Sequence, residues 1–103
     1  MEQLGILAVL EAKAGKEKEV EQFLKSAVSL AEQEQQTVSW YAIKLGPSTF
    51  GIFDTFADQS GREAHLKGEI AKALFARADE LLAKPPVIEQ SEILAVKAAS
   101  RAD

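Results

Sequence analysis

The chain has 103 residues, enough for one domain with a real core, and its 47% hydrophobic and 27% charged residues are the profile of an ordinary globular protein. A net charge of −4, with Lys and Arg scattered and mostly beside Glu, argues against general nucleic-acid binding, which needs a concentrated basic surface. With no cysteine there is no disulfide framework, thiolate nucleophile or Cys-based zinc site, which fits a reducing cytoplasm.

The opening "MEQLGILAVLEA" is apolar for too short a run to span a membrane and lacks the basic start of a signal peptide, so a cytoplasmic protein with no membrane partner is the expectation. Within it Leu4 to Ala12, rich in branched residues, reads as a strand. The period then changes. Val20, Phe23, Leu24, Ala27, Leu30 and Ala31 recur at helical spacing after Gly15, leaving Glu17, Glu19, Lys25, Glu32 and Glu34 to face water. Thr37 and Val38 begin a strand, "TVSWYAIKL", which turns through "GPS" into a partner strand, "TFGIFDTFA", so Trp40 to Phe56 is a predicted hairpin.

A second helical pattern follows, from Ala64 and Leu66 through Ile70, Leu74, Phe75, Ala78, Leu81 and Leu82. Ser60 and Glu63 have capping-box spacing, with Asp58 as the alternative cap, and Gly68 is a predicted interruption. Pro85 and Pro86 stop the helix because neither carries a backbone N–H. A last strand is expected in "VIEQSEILAVKA", best between about Glu92 and Ala98, with residues 98–103 as a frayed tail.

The order β-α-β-β-α-β is that of a ferredoxin-like α+β domain, a four-stranded antiparallel sheet with both helices on one face, filling residues 1–103 as a single domain. The other face should be polar if it meets water. Here strand one is apolar at both parities and Phe53 opposes Phe50, Ile52 and Phe56, so a homodimer packed through this sheet face is expected.

One acid sits among the phenylalanines of "FGIFDTF". If Leu45 pairs with Thr49 across the turn, Trp40 lies opposite Asp54. His65, the only histidine, follows in the first turns of the next helix, which must pack back on the sheet. Burial resists ionisation of a carboxylate, and a neighbouring imidazolium restores it. An Asp–His pair in a pocket lined by Trp and Phe is what proton abstraction from a weakly acidic organic molecule requires. Asp54 is thus expected to line a pocket; the alternatives are that its carboxylate caps a helix or bonds the edge of the sheet and that His65 is a surface or boundary residue.

The runs "LGILAVLEAKAGKEKEVEQFLKSAVSLAEQE" and "FGIFDTFADQSGREAHL" together resemble the antibiotic biosynthesis monooxygenase domain family, dimeric α+β barrel proteins of ferredoxin-like fold. "AGKEKEV" matches the family's helix opening, Asp54 stands at its acid, Phe56 at the aromatic that follows and His65 at its histidine. The resemblance implies oxygenation of a quinol-like or polycyclic aromatic substrate by O₂ with no cofactor, neither metal, flavin nor haem. It implies His65 as base or proton relay, Asp54 as its orienting partner, and Trp40, Phe56 and Phe75 as substrate-binding walls. The alternative is a non-catalytic dimeric module of the same fold that binds a small ligand or is purely structural.

Overall fold

The computed structural model describes residues 2–97, and the expected tail at 98–103 lies outside them. Its elements are β1 (Leu4–Glu11), α1 (Glu17–Gln33), β2 (Thr37–Lys44), β3 (Thr49–Phe56), α2 (Gln59–Leu66), α3 (Glu69–Leu81) and β4 (Val87–Glu92). The strands form one antiparallel sheet in the order β2-β3-β1-β4, the ferredoxin-like topology.

Alternation sorts β1 and β3 into two faces. Ile6, Ala8 and Leu10 of β1 lie opposite Asp54, Ile52 and Phe50 of β3, and all six are buried on the helix side. There Ala8, Leu10, Ile52 and Phe50 meet Val20 and Leu24 of α1 and Leu74 and Leu81 of α3 in one core. A smaller cluster of Ala27, Ala31 and Ile70 adjoins it, and Trp40 packs against both.

The open face carries Tyr41, Ile43 and Val87 exposed, with Leu7, Val9 and Phe53 half-buried among them. Polar groups border this apolar middle. At one end Glu2 accepts from Thr55 (2.8 Å) and Ser39 (3.2 Å), and at the other Glu11 accepts from Ser48 and Thr49, both at 2.8 Å.

Two local features differ from expectation and one agrees with it. Asp58 caps α2, its carboxylate accepting from the Gly61 N–H at 2.9 Å, while Ser60 turns to Gln36; the acid two residues before Ser60 already holds the extended backbone that a cap needs. Gly68 does separate α2 from α3, as the N-cap of the latter. The last strand is Val87–Glu92, earlier than the apolar run Ile93–Val96 suggested. Pairing decided this: Leu4 faces Glu92, so β1 is nearly exhausted there, and only the Ile93 N–H bonds further, to the Gln3 carbonyl. Leu94 is left 94% exposed. Among the described residues no helix is long and apolar enough to cross a membrane.

Candidate functional site

The hairpin places Trp40 opposite Asp54 as its turn register predicts, with Leu45 N–H bonding the Thr49 carbonyl at 2.8 Å. Beyond that pair the register slips. Ser39 faces Thr55 but Thr37 faces Phe56, so Val38 is an extra residue in a β-bulge. The slip turns Thr37 onto the helix-side face, where its hydroxyl donates to Glu34 Oε1 at 2.7 Å.

α2 brings the histidine. Gly61 and His65, one turn apart, are its buried residues, and the missing side chain at Gly61 lets the helix lie on Gln36, whose atoms stand 3.2 Å from where a Cβ would be. His65 thereby enters a gap between two acids. Nδ1 is 2.7 Å from Glu34 Oε1, and Nε2 is 2.8 Å from Asp54 Oδ2. The Phe56 ring lies beneath, 5.4 Å between centroids and tilted by 44°.

Burial is graded across the triad. Asp54 has no exposed surface and the His65 side chain is 9% exposed, whereas that of Glu34 is 19% exposed. Burial alone would pull the imidazole down. Hydrogen bonding and charge from Asp54, then from Glu34, outweigh it and raise the His65 pKa from 6.5 to about 9. At neutral pH the ring is therefore an imidazolium, held between the side chains of Asp54 and Glu34. Asp54 Oδ1, Glu34 Oε2 and the Trp40 Nε1 are buried without hydrogen-bond partners.

Two clefts reach this cluster, and Glu34 and Thr37 line both. One, of about 380 Å³, is walled by Val28, Ala31, Val38 and Trp40. The other, of about 400 Å³, lies toward Gly61, Ala64 and Gly68.

The structure thus brings Asp54, His65, Phe56 and Trp40 together, with roles that differ in access. Trp40 walls a cleft. Phe56, with no exposed surface, supports the imidazole from the core, and Asp54 is sealed behind it instead of lining a pocket. Phe75 stands elsewhere. Ile70, Leu74 and Leu81 form the buried stripe of α3, and the next residue after Leu74 is rotated out of it, 54% exposed in a cleft with Lys13, Pro85 and Pro86.

Glu34, expected to face water, is the residue that the sequence reading missed. The signal was present: Val20, Leu24, Ala27 and Ala31 are the buried stripe of α1, and Glu34 occupies its next position at i+3. Both imidazole nitrogens are engaged, and among the described residues no group of three or more His, Cys, Asp or Glu is arranged to hold a metal ion.

No family model and no curated protein matches the chain. Solved structures do. The NE2512 protein of Nitrosomonas europaea, of unknown function, is 51% identical over 98% of each chain, with a TM-score of 0.94. A proposed antibiotic biosynthesis monooxygenase from the same organism superposes with a TM-score of 0.80 at 10% identity, covering 90% of this chain and 91% of its own. A second such protein, from Caulobacter crescentus, gives 0.76 at 20% identity over 91% and 92%. With half of its residues identical along nearly the whole of both chains, the protein belongs to the family of the Nitrosomonas europaea NE2512 protein, built on the ferredoxin-like fold found in the proteins proposed as antibiotic biosynthesis monooxygenases.

Proposed function

We propose that the protein is a cofactor-independent monooxygenase that oxidises a quinol-like or polycyclic aromatic molecule with O₂. The observation that carries this reading is the Asp54–His65–Glu34 triad, an imidazole held between two acids at the wall of the Trp40-lined cleft. An aromatic body fits against Trp40, Val28, Ala31 and Val38, and its acidic C–H or O–H meets the triad there. Proton loss gives a carbanion or phenolate electron-rich enough to pass an electron to O₂. For an activated ring methylene the overall change is CH₂ plus O₂ to C=O plus water, which balances without any other reductant. In this arrangement His65 is the proton relay and Asp54 its orienting partner.

The reading includes a homodimer. The open sheet face has an apolar middle of Tyr41, Ile43, Phe53, Leu7, Val9 and Val87 between two polar borders, the anatomy of a surface that buries against a like surface.

The test is oxygen uptake by metal-stripped protein with a panel of quinols and anthrone-like aromatics, His65→Ala measured beside it. Uptake above the spontaneous rate that disappears in the folded variant is the expected result. A second reading, a non-catalytic module, is favoured by the complete burial of Asp54, which suits a structural ion pair. It requires that His65→Ala lower the melting temperature and leave binding of the aromatic unchanged.

A further inference from the structure

We propose that Glu34 is the outer station of the proton relay, positioning His65 and passing the proton between the buried Asp54–His65 pair and the Trp40 cleft. This rests on the monooxygenase reading for its chemistry and on geometry alone for its placement. Of the three groups Glu34 is the most exposed, and it lines both clefts that reach the site. Its Oε1 is held twice, by the imidazole Nδ1 and by the Thr37 hydroxyl, each at 2.7 Å, so the carboxylate is aimed. Oε2 has no partner, and it faces Gly68, where an added Cβ would stand 3.1 Å away. A proton moving between Asp54 and the cleft meets His65 first and then the Glu34 carboxylate.

The charged surroundings are few. Asp54 faces the ring from β3 and Glu34 from the end of α1, while Glu69 of α3 lines one adjoining cleft and Glu32 of α1 the Trp40 cleft. Arg62 of α2 turns away to the Ser91 carbonyl at 3.0 Å. No other described side chain forms an ion pair with the imidazole.

Because the chain has a single histidine, its ring resonances can be titrated by NMR without assignment. The probes are wild type, Glu34→Gln, Gly68→Ala and, as a charge control on an exposed strand residue, Glu92→Gln. Glu34→Gln keeps an oxygen for Nδ1 and removes the charge, so the His65 midpoint is expected to fall by roughly one to three pH units, the effect of an opposite charge in contact. Gly68→Ala, which changes no charge, is expected to lower it by less by crowding Oε2, and Glu92→Gln to leave it in place. In the oxygen-uptake assay Glu34→Gln is expected to lose kcat with KM kept. A midpoint unmoved in Glu34→Gln overturns the assignment, as does a lowered midpoint with full turnover. If the wild type takes up no oxygen with any probe, the monooxygenase reading fails, and the titration alone then decides whether Glu34 governs His65.

Discussion

The triad makes the folded state bind a proton that the unfolded chain releases. His65 has a pKa of about 9 in the folded protein against 6.5 when free, a difference of about 2.5 pH units. At 1.36 kcal/mol per unit this is roughly 3 kcal/mol of stability. A raised folded pKa contributes fully below the unfolded value and is lost as pH rises through the folded one. Stability is therefore expected to hold up to about pH 6.5, to fall by about 1.4 kcal/mol per pH unit, and to level off above pH 9. Solvent screens this contribution little, because the side chain is 9% exposed. Urea unfolding at intervals from pH 5.5 to 9.5, on wild type and His65→Gln, gives the curve by difference and so cancels the titration of other groups. A flat difference across that range, or one that grows with pH, would refute the argument that the two carboxylates hold the ring charged.

Two further outcomes complete the set. Asp54→Ala leaves an imidazolium and a cavity where a buried ion pair stood, and should destabilise the protein by about 3–5 kcal/mol at pH 7, read from the urea midpoint. Tyr41→Glu puts a charge in the middle of the open face beside Phe53, and should shift the sedimentation of the proposed dimer to that of a monomer while circular dichroism stays unchanged.

Element order, the hairpin and the Trp40–Asp54 pairing were legible in the sequence because they depend on local chemistry. Period-two and period-3.6 patterns, Pro47 in the turn and the stop at Pro85 act within a few residues. The last strand was misplaced because hydrophobicity and pairing disagree there: Ile93–Val96 is the more apolar run, but the register pairs Val87–Glu92 with Val9–Leu4 of β1. The site divides in the same way. Asp54 stood out as an acid among phenylalanines, whereas Glu34 sat in "EQEQQ", one more glutamate at a helix end. Only the assembled packing of α2 against the end of α1 shows that this carboxylate faces inward. Phe75 misled for a related reason, since an aromatic one position off the buried stripe still scores as apolar.

The bulge at Val38 makes the site depend on counting as well as on chemistry. Between Glu34 and Trp40 the chain must close a helix, cross to the sheet and still present Thr37 inward, and it does so by carrying one residue more than a regular ladder would. Drawing Val38 into a regular ladder opposite Phe56 would keep every polar residue of the site yet move Thr37 one place along, putting its hydroxyl on the opposite side of the sheet from Glu34. In relatives, the pairing register of this segment therefore decides whether the site is kept even where each functional side chain aligns, and the presence of the bulge becomes a character to compare beside residue identity.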